Sequence, residues 1–552
     1  MELTDARREE VGDGQLILAA YARWGEECVD HLDGDFAFAI WDERRRRLFC
    51  ARDHFGIKPF YYCFQQGAFL FASEIKGILA GGIAGIPNDA YLAGYLLVLF
   101  DDAEATAYRG ILRLPAAHSL TVSADGVVLR RYWRLRAGPE LRLRSDAEYA
   151  EVFRAEFAAA VRSRLRSAFP VGTLLSGGMD SSSITCMARQ LLAEEGGNRQ
   201  LHAFSATFDS SPSCDERQYF TAVTAQEGII AHLTPVDQLG PFTAYHEGQA
   251  LQDEPYVGTT HYLHWGLYQA ARPHVRTLLE GHGGDSVVSH GMTYLTELTA
   301  RGRWVSLLRE ARAYAGKGGW RLRDVLWEWS VLPLIPGPLR SYWRRLHDER
   351  TREQKLARAL IAPAVIERLR LRQRLDAARR ADLPARSVRE EQEVELASPI
   401  YALIFEWFNI AAHTHALDVR YPFFDRRFVE FCLTLPPEQK LRGGWTRYIL
   451  RRAMEGILPA EVQWRAGKAN LSPCFFRNLR ARDQQLLGRM LDEGREKLAP
   501  YLDTARLQDC YRRWAAEEPS AQRYWEPIWF AATLAAWMLD RDVGEARSHR
   551  DA

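Results

Sequence analysis

The segment Ser176–Ser182, SGGMDSS, constrains the fold of this 552-residue chain more than any other. It follows a short apolar run, Val171–Leu175, and precedes a helical pattern that extends to Glu194. Two adjacent glycines let a backbone approach an anion closely, and the N–H groups at the start of a helix favour negative charge. The G-K-S/T ending of a Walker loop is absent. The segment therefore predicts a phosphate-binding loop of another class, formed by Ser176, Gly177, Gly178, Asp180, Ser181 and Ser182.

Asp180 adds a metal ion to this prediction. A carboxylate inside a phosphate loop would repel the phosphate unless a divalent cation lay between them, and carboxylate oxygens suit Mg²⁺. The alternative is a generic glycine turn. Strand, loop, acidic residue and helix together favour a magnesium–nucleotide site.

Two patterns divide the chain. Residues 1–138 contain short apolar runs such as Phe36–Trp41 and Phe60–Phe64, and Asp125 and Gly126 lie between two β-rich runs. This spacing predicts an antiparallel sheet with a hairpin turn at Asp125. Residues 145–552, after a linker with Gly138 and Pro139, alternate strand and helix patterns. The alternation predicts an α/β domain whose parallel sheet binds ligands at the carboxyl ends of its strands.

A helical insertion is predicted over about residues 300–400, where Arg, Leu, Trp and Glu dominate. Arginines interleaved with acidic residues are typical of a solvated helical face, and a docking surface for an acidic peptide is the alternative. Four tryptophans would belong either to ordinary helix packing or to the wall of a substrate cavity: Trp320, Trp327, Trp329 and Trp343.

Charge and composition exclude several classes of protein. Lys and Arg total 72 against 71 Asp and Glu, whereas a general nucleic-acid binder usually has a basic excess. No apolar run is long enough to cross a membrane, and the first residues lack the apolar core of a signal peptide. The eight cysteines are scattered without a C-x-x-C pair, which argues against a zinc site or a disulfide framework. We therefore expect a cytoplasmic protein that binds no nucleic acid.

The SGGMDSS loop resembles the S-G-G-x-D-S loop of the ATP pyrophosphatase family. Members of that family cleave ATP between the α- and β-phosphates, activate a carboxylate or carbonyl as an adenylate, and release pyrophosphate. The resemblance implies AMP-forming chemistry with ATP and Mg²⁺.

Longer segments are similar to one branch of this family, the asparagine synthetase superfamily. Leu32–Asp42 and Ala51–Tyr62 resemble the second half of its glutaminase domain, and Leu417–Asp425 and Lys440–Arg451 resemble segments of its synthetase domain. The resemblance implies a truncated Ntn-hydrolase-like domain over residues 1–138. It implies an adenine-nucleotide α-hydrolase-like domain over residues 145–552.

The same resemblance extends the candidate site beyond the phosphate loop. It implies that Leu175, Ala206 and Gly281 contact the nucleotide, and that Asp285 joins Asp180 as a ligand of the magnesium ion. It also implies that Lys468, within Trp464–Asn470, stabilises charge in the transition state. For Lys468, an ordinary surface lysine is the alternative.

The first residues depart from the superfamily pattern. A working glutaminase domain needs an N-terminal cysteine as nucleophile, whereas Glu2 follows Met1 here and the first cysteine is Cys28, in a predicted helix. The glutamine-binding arginine and the N-G-E segment would precede residue 1, and Asp13 alone fits a substrate-binding position. We therefore expect that the chain does not produce ammonia and that another amine is the nucleophile.

A second departure lies in Glu280–Ser286, EGHGGDS, where asparagine synthetases have S-G-E-G-S-D-E. Ser286 replaces a glutamate, and His282 replaces the glutamate that contacts the amine. Because the pKa of imidazole lies near 6.5, His282 could accept the proton of an incoming ammonium, which is typically worth about 10²–10⁴-fold in rate. The alternative is a loop histidine that bonds only backbone.

The next residues, Val287–Gly291, resemble the D-x-V-V-S-H-G signature of lasso peptide cyclases. These asparagine synthetase homologues close a macrolactam ring. The resemblance implies that ATP adenylates an Asp or Glu side chain of a ribosomal peptide, and that the peptide's own α-amine then attacks. His290 would be either a second base or a packing residue.

Together these features predict a lasso peptide cyclase, an AMP-forming amide ligase. By resemblance, its partners would be a leaderless core peptide, a leader peptidase and a leader-recognition protein. The closest alternative is an asparagine synthetase-like ligase that uses ammonia or a small amine. A non-catalytic nucleotide-binding scaffold is disfavoured by Ser176, Asp180, Asp285 and Lys468. An RNA-thiolating enzyme is disfavoured because the chain shows no catalytic cysteine pair and no basic face.

Overall fold

The computed structural model describes residues 11–65, 67–194, 196, 200–249, 252–255, 258–335, 351–381 and 385–548. The described residues form two compact units. One contains residues from the ranges 1–87, 102–136 and 398–409, and the other contains residues from 88–101, 137–397 and 410–552.

The first unit contains two antiparallel sheets, with strand orders β1-β2-β6-β7 and β4-β3-β5. Its elements are α1 (Asp13–Trp24), a 3₁₀ helix (Gly25–His31), β1 (Ala37–Asp42), β2 (Arg47–Arg52), β3 (Tyr61–Gln65), β4 (Ala68–Ala72), α2 (Ile75–Ala80), β5 (Leu112–Arg113), β6 (His118–Ser123) and β7 (Gly126–Arg131). The predicted hairpin is confirmed, since Ser123 pairs with Gly126 across the turn that contains Asp125.

Alternation along β2 builds two cores. Successive side chains of a strand point to opposite faces of its sheet. Cys50 therefore packs in a cluster with Phe60 and Leu120, whereas Phe49 packs on the other face with Ala20 of α1.

A buried carboxylate lies at the centre of the first unit. The Glu406 carboxylate is almost fully buried and accepts hydrogen bonds from Arg113 Nε at 2.8 and 2.9 Å and from the Tyr61 hydroxyl at 2.8 Å. Arg52 Nη2 lies 2.7 Å from Glu406 Oε1 and also donates to the Gly56 carbonyl. Burial opposes the charge, but Arg113 and Arg52 hold the pKa of Glu406 below its usual range.

The second unit begins with helices and strands in alternation. They are α3 (Asp89–Leu96), α4 (Asp146–Leu165), β8 (Val171–Leu174), α5 (Met179–Glu194), β9 (Leu201–Thr207), α6 (Arg217–Thr224), β10 (Ile229–Pro235), α7 (Pro241–Gln249), α8 (His261–Ala271), β11 (Thr277–Leu279) and α9 (Gly284–Val288). Ser145 caps the N-terminus of α4, because its hydroxyl accepts from Glu148 N at 3.2 Å.

The predicted insertion is helical where the structure describes it. Its helices are α10 (Tyr294–Ala300), α11 (Trp304–Gly318), α12 (Leu322–Leu326), α13 (Pro363–Arg368), α14 (Leu371–Ala381) and α15 (Val388–Leu396). Trp343 lies outside the described residues.

The remaining elements follow the insertion. They are α16 (Ile400–Thr414), β12 (Asp418–Arg420), α17 (Arg426–Thr434), α18 (Pro437–Lys440), β13 (Leu441–Arg442), β14 (Trp445–Thr446), α19 (Tyr448–Ala453), α20 (Ala460–Gln463), α21 (Ser472–Ala481), α22 (Gln484–Glu493), α23 (Arg495–Leu498), α24 (Thr504–Ala515) and α25 (Trp525–Ser548). No helix among the described residues is both long enough and apolar enough to cross a bilayer.

The predicted parallel sheet is confirmed, with strand order β10-β9-β8-β11-β12 and parallel pairing throughout. The chain proceeds from β8 outward to β10 and then returns to the other side of β8 with β11. Beside β8 the order therefore reverses, and ligands of open α/β sheets bind at such a switch point, outside the carboxyl ends of the strands.

Removing the charge of Glu406 should destabilise the first unit. In Glu406→Gln, two arginines stay buried beside a neutral partner, so we expect the free energy of unfolding to fall by about 3–5 kcal/mol in urea titrations at pH 7. Glu43→Gln is the control, because Glu43 pairs with Arg46 at the surface, and it should change stability by less than about 0.5 kcal/mol. Equal, small losses in both variants would contradict a structural role for the Glu406 network.

Candidate functional site

A cavity of about 960 Å³ opens at the carboxyl ends of β8 and β11, at the switch point of the sheet. All but two of the residues predicted from the sequence line it: Leu175, Ser176, Gly178, Asp180, Ser181, Ala206, Gly281, His282, Asp285, His290 and Lys468. The two that do not are Gly177 and Ser182. Gly177 adopts a positive φ of 78° against Tyr219, and Ser182 is buried in the first turn of α5.

The phosphate loop is held by its own serines. Ser176 Oγ lies 3.0 Å from Ser181 Oγ and accepts a hydrogen bond from Gly178 N at 3.2 Å. Ser181 Oγ in turn accepts from Ser176 N at 3.2 Å. These bonds fix the loop as it enters α5, whose first N–H groups are the donors expected to bind an anion.

Two glycines bring the turn after β11 against the phosphate loop. A Cβ atom on Gly281 would lie 2.8 Å from Ser181 N, and one on Gly284 would lie 2.8 Å from Asp180 Cβ. Real Cβ atoms do not approach other atoms this closely, so only glycine fits at either position. The contact at Gly284 places the neighbouring residue Asp285 on the Asp180 side of the cavity.

The two predicted metal ligands offer carboxylate oxygens, the donors that Mg²⁺ prefers. Arg447 donates two hydrogen bonds to Asp180, at 2.7 and 2.5 Å. The Asp285 side chain is about half exposed to the cavity. Because both carboxylates line one cavity beside a loop built for phosphate, the residues present fit a magnesium–nucleotide complex.

His282 lines the same cavity. Burial lowers its pKa, and the positive charges of His264 and Lys468 lower it further, while Glu280 opposes them. The pKa of the neighbouring His264 is instead raised. Burial lowers it, but the hydrogen bond to Glu280 at 3.1 Å, the charge of Glu280 and a hydrogen bond to the Thr260 carbonyl together outweigh burial. The surroundings of His282 therefore favour its neutral form, which is the form that can accept a proton.

The VVSHG segment divides into packing residues and one cavity residue. Val287 and Val288 are fully buried, and a Cβ on Gly291 would lie 2.8 Å from Lys440 Cβ. His290 is instead half exposed, and its Nε2 lies 4.0 Å from Asp285 Oδ2. Partial burial and then the charge of Arg447 lower the pKa of His290. Its exposure does not fit the alternative of a packing residue.

Glu216 fixes the segment that carries Lys468. Its carboxylate accepts from Ala469 N at 2.9 Å and pairs with Arg465. Arg465 also donates to the Gly177 carbonyl at 3.2 Å and lies 3.8 Å above the ring of Tyr219. The position of Lys468 is thus coupled to the phosphate loop through one carboxylate and one guanidinium.

Three arginines of the cavity were not predicted from the sequence as site residues: Arg447, Arg451 and Arg465. Cationic and acidic side chains are mixed among the described lining residues: Lys317, Arg447, Arg451, Arg465 and Lys468 with Asp180, Glu216, Glu280 and Asp285. Burial lowers the pKa of Arg451 to about 10, and it remains charged at pH 7. Such cations suit the phosphates of a nucleotide. Arg447 and Arg451 lie in the segment Lys440–Arg451, whose resemblance to the synthetase domain was the available signal. The sequence alone did not show that Arg447 reaches Asp180.

The insertion contributes part of the wall. Tyr314, Lys317 and Trp320, in and just after α11, line the cavity. Trp329 packs instead against the buried cluster of α10 and α11, and the ring of Trp327 is largely exposed. One of the described tryptophans thus lies where the cavity-wall hypothesis expects it.

Comparisons with known proteins agree with this geometry. Residues 152–539 match the family model "Asparagine synthase", and residues 2–133 match "Glutamine amidotransferase domain". Asparagine synthetase [glutamine-hydrolyzing] 3 of Bacillus subtilis is 30% identical over 83% of this chain and 70% of its own length. A putative asparagine synthetase of Mycobacterium bovis is 29% identical over 82% of this chain and 69% of its own length. Amidase chry2 of Gibberella zeae is 24% identical over 84% and 73%.

Gly281→Ala should weaken nucleotide binding. The new methyl group would force the turn after β11 away from Ser181, and overpacking of this kind costs about 1–3 kcal/mol. We expect the Kd for a non-hydrolysable ATP analogue with Mg²⁺ to rise roughly 5- to 150-fold in calorimetric titrations. Gly14→Ala in α1 is the control, since a Cβ there meets no atom within 4 Å. An unchanged Kd in Gly281→Ala would show that the close approach is not needed for binding.

Proposed function

The chain belongs to the asparagine synthase family, and from that premise we propose that it is an ATP-dependent ligase that forms amide bonds. A carboxylate oxygen of the substrate attacks the α-phosphorus, the bond to the β-phosphate oxygen breaks, and pyrophosphate leaves. An amine nitrogen then attacks the acyl carbon, and AMP leaves. The observation that carries the proposal is the meeting of the SGGMDSS loop, Asp285, His282 and Lys468 on one cavity.

Each half of the reaction has its own group of residues. Ser176, Ser181 and the start of α5 would bind the phosphates, and Arg447 is within reach of the same region. Asp180 and Asp285 would hold a magnesium ion, which supplies neutralisation of the departing pyrophosphate. Lys468 would stabilise the charge that builds on the tetrahedral centre and on the leaving phosphate.

His282 would serve the amine. A general base must be neutral at working pH, and burial keeps the pKa of His282 below its ordinary value. Transfer of the ammonium proton to His282 leaves a free amine able to attack the adenylate. His290, half exposed beside Asp285, would be a second acceptor for that proton.

The amine that the family resemblance favours first is ammonia or a small amine, since two of the relatives are named as asparagine synthetases. A second candidate is the α-amine of the substrate itself, which would close a macrolactam in a ribosomal peptide. Two features favour it: His282 in place of a glutamate, and the VVSHG segment that brings His290 to the cavity. The cavity is also near the upper limit of typical ligand pockets, so it has room beyond a nucleotide. This candidate would require a leader peptidase and a leader-recognition protein.

Lys468→Ala should abolish amide formation while ATP analogues still bind. With wild-type protein we expect AMP and pyrophosphate as products, measured by chromatography, with aspartate plus ammonia in one assay and linear leaderless peptides in another. The loss of one water from a peptide supports the macrolactam, and asparagine formation supports the first candidate. Lys76→Ala, which changes an exposed lysine of the first unit, should retain full activity. ADP as the nucleotide product would sink both candidates.

The rate of amine attack should depend on the protonation of His282. Because its folded pKa is lowered, the neutral base persists below pH 6.5 and is lost only as the pH falls through that lowered value. We expect the wild-type rate at pH 7 to exceed that of His282→Gln by about 10²–10⁴-fold, and the ratio to approach one in acid. Ionisation of the amine itself affects the wild-type and variant rates equally, so it does not change their ratio. A ratio of one at every pH would remove His282 from the mechanism.

A further inference from the structure

Three histidines meet on the parallel sheet, outside the cavity of the candidate site. His202 is the second residue of β9, His232 lies in β10, and His274 precedes β11 by a few residues. The first and last lie near the amino ends of strands, whereas the phosphate loop follows the carboxyl end of β8. None of the three lines the nucleotide cavity.

The ring nitrogens of these histidines are close enough to share one ion. One nitrogen from each of the three rings lies within 4.8 Å of the others. His202 Nδ1 lies 2.9 Å from His232 Nε2, and the rings of His232 and His274 have centroids 4.2 Å apart. In the part of the chain that the structure describes, no other group of three His, Cys, Asp or Glu side chains offers ligand atoms this close.

The register of the strands explains why two of the rings share a face. His232 pairs directly with Phe204, two residues after His202, so the side chains of His202, Phe204 and His232 lie on the same face of the sheet. On β8 the position beside His202 is Gly172. A Cβ on Gly172 would lie 2.8 Å from the ring of Phe204 and 2.9 Å from Leu278, so glycine leaves room for these side chains beside the histidines.

Burial, and then the charge of His274, lower the pKa of both His202 and His232. A lowered pKa favours the neutral ring that metal ligation uses, because a lone pair must be free on the ligating nitrogen.

The donor set selects the class of metal. Imidazole nitrogen suits zinc and its neighbours cobalt, nickel and copper, whereas Mg²⁺ and Ca²⁺ prefer oxygen. Zinc–nitrogen bonds of about 2.0–2.1 Å in tetrahedral geometry separate two ligand nitrogens by roughly 3.3 Å. His202 and His232 share a 2.9 Å hydrogen bond in this structure, and this distance is within a few tenths of an ångström of that separation, so a metal ion would take the place of the shared proton.

We propose that His202, His232 and His274 bind one transition-metal ion of the zinc class, with a fourth position open to water. The site is distinct from the magnesium–nucleotide site and ties β9 and β10 to the segment before β11. The scattered cysteines argue only against a zinc site with cysteine ligands. They do not bear on the proposed site, because its ligands are three histidines from separate segments.

The test is metal binding by the full-length chain, purified without a polyhistidine tag and stripped with a chelator. Zinc is titrated in the absence of ATP and Mg²⁺, with bound metal counted by plasma mass spectrometry and the Kd measured against a chromophoric chelator. We expect one zinc ion per wild-type chain. The exposed His274 is the ligand to change. Loss of a residue that only hydrogen-bonds to a metal ligand costs roughly 10- to 100-fold in affinity, and we expect His274→Ala, which removes a ligand itself, to raise the Kd for zinc by more than that.

Two further variants separate this site from others. Asp285→Asn should keep the zinc ion, because Asp285 belongs to the nucleotide cavity, and His31→Ala, which removes a histidine stacked on Trp24, should keep it too. Far-UV circular dichroism verifies that His274→Ala is folded, and Co²⁺ substitution should give a tetrahedral spectrum only when all three histidines are present. No zinc in the wild type, equal affinity in His274→Ala, or loss of the ion in Asp285→Asn would each overturn the proposal.

Discussion

The candidate site depends on a contact that leaves no room for a side chain. The turn after β11 touches the phosphate loop at Gly281 and Gly284, with the missing Cβ atoms only 2.8 Å from Ser181 and Asp180. Any larger residue would separate the two turns and, with them, the two carboxylates that a metal ion would have to share. The positions of the charged side chains in the cavity therefore depend on the close approach of the two turns, which the glycines make possible.

The backbone of the first unit is held by charged side chains rather than by close contacts at glycines. Arg52 donates to Gly56 O, Lys58 O and Leu114 O and meets Glu406, while Asp53 accepts from Phe55 N, Ile57 N and Lys58 N. Burial raises the pKa of Asp53 to about 6, with Asp35 adding to the shift. The segment Ala51–Tyr62, which carries the glutaminase-like resemblance, is therefore the polar core of this unit.

Much of this architecture follows from local sequence. The phosphate loop was predictable because strand, glycines, acid and helix are contiguous, and the parallel sheet because strand and helix patterns alternate. Lys468 and Asp285 came only from a family resemblance. The Arg447–Asp180 pair and the role of Glu216 were not predictable, since residues separated by some 250 positions meet only once the sheet has formed. The opposite error occurs at Gly177 and Ser182. Both belong to the motif, yet neither lines the cavity, because Gly177 shapes the turn and Ser182 is buried beneath it.

Glu216 connects the phosphate loop to the segment that carries Lys468. One carboxylate holds both Arg465, which contacts the phosphate loop, and the backbone beside Lys468. Of the two histidines that would serve the amine, His282 lies on the turn after β11 and His290 follows α9. Adenylation and amine recognition therefore meet in the turn after β11, because His282 lies between Gly281, which contacts the phosphate loop, and the proposed metal ligand Asp285. A substitution of His282 alone would leave the glycine contacts and both carboxylates in place, whereas replacement of the whole turn would remove those contacts.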